Sequence, residues 1–304
     1  MDHLQHIKIN FEQGQVTLLN ICLGILMFGV ALDLQLRDFR YLLKAPKSIF
    51  VGLFSQMFLL PVITILLVYI IQPAYSLALG MILIAACPGG NVSNYAVHLA
   101  KANAALSIVL TMISTILCVF STPFIFTVLQ KFMPAGITHT ADFDINFADM
   151  AKTIVQLIII PLLLGLILNK YLPVLISKIK DAIKKLSFII FIGFVVAAVS
   201  GNIENLKNHL HIVFFIVLIH NGLALLIGYI WPRKIMKLPV NDCRTISIET
   251  GIQNSGLALI LIFNFFDGNG GMALIAAWWS IWHLISALGL AWWWRKDVVT
   301  GEGM

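Results

Sequence analysis

Apolar runs of about 17 to 28 residues, the length needed to cross a bilayer, recur along the chain with short polar stretches between them. Their approximate limits are 16–32, 47–72, 76–100, 103–130, 151–170, 185–203, 211–231, 244–266 and 271–294. The pattern predicts nine transmembrane helices and an all-α polytopic membrane protein. Two of the nine are interrupted. The third contains Cys87-Pro88-Gly89-Gly90-Asn91-Val92-Ser93-Asn94, and the eighth contains Ser247-Ile248-Glu249-Thr250-Gly251-Ile252-Gln253-Asn254-Ser255. Pro88 has no N–H, and the two glycines after it carry the highest backbone entropy. A break here frees backbone N–H and C=O groups at bilayer depth. That is tolerated only where protein or a water-filled cavity surrounds it.

Composition sharpens this picture. Of 304 residues, 60% are hydrophobic and 11% charged, against about 25% charged in a soluble domain. The formal charge of +6 belongs to basic loops of a membrane protein, not to a nucleic-acid partner. Membrane lipid is the expected surrounding. Three of the four cysteines lie in apolar segments and none has metal-type spacing, so neither a disulfide nor a zinc site is expected. Met1–Gln15 is polar with mixed charge and reads as no signal peptide, which makes the first apolar segment an uncleaved anchor.

Charge also orients the spans. One set of alternate loops holds Arg37, Arg40, Lys44 and Lys47, then Lys101, then Lys170, Lys178, Lys180, Lys184 and Lys185. It continues with Arg233, Lys234, Lys237 and Arg244, and ends with Arg295 and Lys296. That is 16 of the 20 basic residues; Lys8, Lys131, Lys152 and Lys207 lie opposite. The positive-inside rule then places the N-terminus outside and the C-terminus in the cytoplasm of a cell (inner) membrane protein. Trp292-Trp293-Trp294 before Arg295 reads as an interfacial belt. On this count the fifth span stands between two groups of four that run in opposite senses, and the two breaks fall at matching third positions. Gln56 in one half also matches His220 and Asn221 in the other. Inverted halves with interrupted helices point to a site at the midplane.

Glu249 dominates that site. A carboxylate at membrane depth costs roughly 3 kcal/mol on insertion scales, and every Lys and Arg falls in a loop or at a span end. It is protonated, paired with one of His98, His220 or His283, or facing a bound cation. The neighbours favour a cation. Ser93, Asn94, Ser107 and Thr111 supply oxygens, with Ser107 and Thr111 four apart on one helical face. Gln56 and Gln253 add amide oxygens, and hard cations take ligands of this kind. One carboxylate among neutral oxygens suits a monovalent ion, which points to sodium. Asn91 and Asn254 stand at half-helix N-termini, where backbone N–H groups favour an anion. His283 on the last span is a further candidate for the same cavity.

Cys-Pro-Gly-Gly-x-x-Ser-Asn at 87–94, Ala-Leu-Ser-x-x-x-Thr at 105–111 and Glu-x-Gly-x-Gln-Asn at 249–254 resemble the motifs of the bile acid:sodium symporter family. Gln56 ahead of Pro61, and Phe28-Gly29, fit as well, so the likeness covers about 16–294. The resemblance implies a core and a panel domain, with ten helices, or nine when the first is absent. It implies the division 1–15 external segment, 16–130 first repeat of four helices, 131–150 external loop, 151–294 second repeat of five and 295–304 cytoplasmic tail. The panel is then the first, fifth and sixth spans. Two sodium ions are implied: one on Ser93, Asn94, Ser107, Thr111 and Glu249, the other on Gln56, Glu249 and Gln253 with the backbone of Thr250 and Ile252. Asn91, Asn254 and His283 would meet the substrate, an organic anion such as a bile acid, steroid sulfate or small carboxylate. The chain departs from similar bacterial transporters at Leu284, where they can carry Asn.

The expected activity is therefore sodium-coupled import by a monomeric carrier, not an enzyme. The sequence has no paired intramembrane aspartates, no His-Glu-x-x-His and no Gly-x-Ser-x-Gly. Proton coupling through Glu249, an arsenite-type extruder using Cys87, and a membrane sensor are the alternatives. The last lacks a signalling domain after Trp294.

Overall fold

In a computed structural model, residues 13–32, 45–134, 146–200 and 203–300 are described, and they are helical apart from short links. The helices are α1 (Gln13–Ala31), α2 (Pro46–Ile71), α3 (Tyr75–Ala86), α4 (Val92–Leu99), α5 (Ala104–Lys131) and α6 (Phe147–Tyr171). They continue with α7 (Pro173–Ser200), α8 (Ile203–Ile230), α9 (Val240–Gly251), α10 (Ser255–Phe265) and α11 (Gly270–Thr300). Among the described residues, five stretches are long and apolar enough to cross a membrane: α2, α5, α6, His211–Ile235 and Gly270–Lys296. The expected third and eighth spans are each two shorter helices, α3 with α4 and α9 with α10.

Proline shapes the long helices locally. A single π turn occupies Ser55–Leu59 in α2, where Leu60 N–H bonds to Ser55 C=O just before Pro61. Another occupies Val155–Ile159 in α6, before Pro161. A ring without N–H removes one rung of the ladder, and widening the turn before it keeps the flanking groups paired. Gln56 lies in the first of these turns, and π turns re-aim side chains where a site needs them.

The centre of the molecule is α3 and α10. Every residue of α3 is buried, as are nine of α10. They pack with α5 and α11 into one apolar cluster that includes Leu79, Ile82, Phe126, Leu259 and Trp279. Lipid tails are as apolar as these side chains, so close packing rather than transfer from water holds the helices together. Away from this centre, α1 packs along α6 and α7, and α9 packs along α8.

Several expected boundaries move. The helix expected at 185–203 begins at Pro173, because the lysines at 178–185 are helical and not a loop. A run of charges with good helix propensity continues a helix as readily as it ends one. Arg244, assigned to a loop, is buried in α9, where Nη1 donates to Trp294 C=O (3.3 Å) and the guanidinium lies 5.5 Å from the Trp294 ring centre. Trp294 is accordingly buried and stacks on Tyr229, and only Trp292 and Trp293 are exposed as a belt. The expected tail from 295 begins inside α11. Arg37, Arg40 and Lys44, most of the 131–150 loop and the extreme termini lie outside the described residues.

Candidate functional site

The two broken helices cross at their breaks. Gly90 N–H donates to Ile252 C=O (2.9 Å) and Asn254 N–H to Pro88 C=O (2.8 Å), an antiparallel bridge that pairs Gly89 with Gln253. These bonds satisfy backbone groups that the interruptions free. The remaining freed carbonyls find side chains. Thr122 Oγ1 donates to Ala86 C=O at the end of α3 (2.8 Å), and Asn221 Nδ2 donates to Gly251 C=O at the end of α9 (2.7 Å). Glycine is needed at the crossing. A Cβ on Gly89 would stand 2.9 Å from Gln56 Nε2 and 3.2 Å from Glu249 Oε2, and one on Gly90 2.9 Å from Gln253 C=O.

Glu249 lies in the last turn of α9 with its carboxylate buried in this crossing. Ser93 Oγ (2.5 Å) and Ser107 Oγ donate to Oε1, and Thr111 Oγ1 donates to Oε2 (3.0 Å). Ser107 Oγ also lies 2.8 Å from Asn94 Oδ1, so its one proton is shared between that oxygen and Glu249. So Ser93, Asn94, Ser107, Thr111 and Glu249 converge, from α4, α5 and α9. No histidine bonds this carboxylate among the described residues. His220 Nε2 pairs instead with Thr64 Oγ1 (2.7 Å), which also reaches Leu60 C=O (2.7 Å). His98 is exposed on α4.

The second predicted group also comes together. Gln56 Nε2 donates to Glu249 C=O (3.2 Å), and Gln253 Nε2 to Thr250 C=O (2.9 Å). Gln253 Oε1 is buried and has no hydrogen-bond partner among the described residues. An unpaired buried acceptor costs about 1–3 kcal/mol, so this oxygen fits a donor or cation. The carbonyls of Thr250 and Ile252 each accept one bond and keep a second lone pair. Among the described residues no three His, Cys, Asp or Glu side chains converge. Carboxylate, hydroxyl, amide and carbonyl oxygens are ligand types that a hard cation takes.

The three residues expected to meet an anion are not gathered by any hydrogen bond. Asn254 caps α10, its Oδ1 accepting from Leu257 N–H (3.0 Å), which leaves its Nδ2 hydrogens. Asn91 begins α4 half-buried, without a side-chain cap bond. His283 is buried on α11 with Nδ1 unpartnered. Cys87 is buried in the central apolar cluster.

Four contributors escaped the sequence reading: Ser114, Thr122, Asn221 as a carbonyl donor, and Ser286. Ser114 Oγ accepts from Gly89 N–H (3.3 Å), and Ser286 Oγ donates to Asn221 Oδ1 (2.6 Å). Ser114 lies three residues beyond Thr111 on the same face of α5, the one signal that could have found it.

An apolar helical body, with two helices broken across one buried carboxylate, is that of a multi-pass membrane protein, and its family and relatives are transporters. The chain belongs to the Sodium Bile acid symporter family, whose profile matches residues 20–209. It is 34% identical over 281 residues to the "Uncharacterized sodium-dependent transporter YocS" of Bacillus subtilis, covering 92% of this chain and 84% of that protein. Two Arabidopsis thaliana proteins are also similar. "Probable sodium/metabolite cotransporter BASS1, chloroplastic" is 30% identical over 90% of this chain and 66% of its own length. "Probable sodium/metabolite cotransporter BASS5, chloroplastic" is 32% identical over 81% of this chain and 60% of its own length.

Proposed function

We propose that this protein imports an organic anion coupled to sodium by alternating access. The observation that carries the reading is the Glu249 carboxylate, buried at the helix crossing with three hydroxyls donating to it. The names of the relatives support sodium as the coupling ion. Two sodium ions bind. One takes Ser93, Asn94, Ser107, Thr111 and Glu249. The other takes Gln56, Glu249 and Gln253 with the carbonyls of Thr250 and Ile252. The unpartnered Gln253 Oε1 supports this second set.

The cargo is a bile acid or a small carboxylate, met by Asn91, Asn254 and His283 where the N-termini of α4 and α10 converge. Ordering of the crossing by sodium presents those half-helix N–H groups to the anion. Counting each broken pair as one, nine spans make two inverted repeats. The α1, α6 and α7 group forms the panel against which the core moves, in a cell (inner) membrane with the C-terminus cytoplasmic. The carrier works as a monomer. Two sodium ions with one monovalent anion move one net positive charge inward, worth about 2.3 kcal/mol per 100 mV.

A thermal-shift screen of purified protein against bile acids, steroid sulfates and small carboxylates, with sodium or potassium, tests the reading. The expected result is stabilisation by one anion class in sodium only. Equal stabilisation in potassium, or uptake of that anion into sodium-free vesicles driven by a pH gradient, overturns it.

A further inference from the structure

Seven residues before Glu249, α9 carries a second buried carboxylate that the site itself does not use. Asp242 Oδ2 accepts from Ser48 Oγ (2.6 Å), and Oδ1 from Asn103 Nδ2 (2.7 Å). Beside it, Thr245 Oγ1 accepts from Asn103 N–H (2.9 Å). Asp242 therefore ties together three segments: the first turn of α2, the link between α4 and α5, and the first turn of α9.

The spacing gives this cluster a purpose. Asp242, Thr245 and Glu249 are separated by three and four residues and share one face of α9. Asn103, Ser107, Thr111 and Ser114 are separated by four, four and three and share one face along α5. The two rows meet rung by rung. Asn103 pairs with Asp242 and Thr245, and Ser107 and Thr111 pair with Glu249. Asn103 also caps α5, its Oδ1 accepting from Leu106 N–H (3.1 Å). One side chain thus sets where α5 starts and, through the other end of its amide, where α5 stands against α9. Ser48 extends the tie to α2, the helix that carries Gln56.

We propose that Asp242 and Asn103 are positioning residues for sodium: a latch that sets the register of α2, α5 and α9, and through it the sodium affinity at Glu249. The latch does not touch the ion. At 1.5 Å per residue, seven residues separate Asp242 from Glu249 by about 10 Å along the helix. Both Asp242 oxygens accept from neutral donors, and an amide hydrogen directed at the carboxylate opposes a cation there. The inference rests on the sodium reading of Glu249.

The test is equilibrium binding of radioactive sodium to the purified full chain at constant ionic strength. Asn103→Asp sets two carboxylates face to face and is expected to raise the half-saturating sodium concentration about tenfold. Asp242→Asn keeps the contact but loses its charge, with an expected rise of about fivefold. The double variant N103D/D242N exchanges carboxylate and amide. The carboxylate now at position 103 still accepts from Leu106 N–H and from the new amide, so binding returns to within about twofold of the original.

Melting temperature without sodium is read in parallel. A merely structural role lowers it in the single variants but leaves the sodium affinity of the folded protein unchanged, and that outcome overturns the latch. If N103D does not fold, D242N and the double variant decide: adding N103D to D242N must strengthen sodium binding, and the latch fails if it does not. Glu249→Gln separates the two claims. If it binds sodium like the original protein, the sodium reading fails and the latch falls with it. If it loses sodium while N103D binds normally, the latch alone fails.

Discussion

The two breaks do the same geometric task with different means. The first, 87–91, spends five residues between α3 and α4; Gly90 lets the other backbone approach, and Gly89 leaves room for the side chains of Gln56 and Glu249. The second, 252–254, is three residues long and has bulky Ile252 and Gln253 in it. The chemistry is divided between them as well. After the first break come the hydroxyl and amide of Ser93 and Asn94; before the second comes the carboxylate of Glu249. Neither break forms the buried carboxylate cluster alone. The carboxylate of one half completes itself on the hydroxyls of the other, so a crossing that is not fully formed has no site. That dependence suits a carrier in which ion binding and the arrangement of the core must be one event.

The asymmetry can be broken at graded points. The largest expected effect is at Gly90→Ala, because its Cβ presses on the Gln253 backbone carbonyl (2.9 Å) and on Ile252 (3.0 Å) at the crossing. Overpacking here is expected to cost about 3 kcal/mol of stability, seen as a lower melting temperature, with sodium-dependent stabilisation lost as well. Removing the donor at the second break, Asn221→Ala, leaves Gly251 C=O buried without its side-chain donor. About 2 kcal/mol is expected, with Ser286 also losing its acceptor. The matching change at the first break, Thr122→Val, keeps the shape and strips the bond to Ala86 C=O, for about 1 kcal/mol. Equal losses at Asn221 and Thr122 would remove the distinction between the breaks. The smallest effect is at Ser114→Ala. It deletes one long bond to Gly89 N–H and is expected to lower stability by about 0.6 kcal/mol, the average for such bonds within membranes.

Much of the site was readable from the chain because its chemistry conflicts with its surroundings. A Pro-Gly-Gly and an unpaired Glu inside apolar runs have no quiet structural explanation, and four-residue spacing put Ser107 and Thr111 on one face. What escaped depends on which helices meet. Thr122 and Asn221 are ordinary polar residues until the carbonyls of Ala86 and Gly251 are seen to need donors. Asp242 and Arg244 lie where polar loop composition gives way to apolar helix, so hydropathy assigned Arg244 to the loop although both are buried. His220 matched Gln56 by position in the opposite half, yet its partner is Thr64. Symmetry of hydropathy locates a residue in depth and leaves its contact undetermined.

Sodium is proposed to bind at the crossing through Glu249. Equilibrium binding of radioactive sodium to the protein and to Glu249→Gln, at matched ionic strength and with folding checked by melting temperature, tests it most directly. The amide fills the same volume and accepts from fewer hydroxyls, so the variant should stay folded and lose saturable sodium binding at the concentrations that fill the original site. Saturable binding of unchanged affinity in Glu249→Gln would contradict the account.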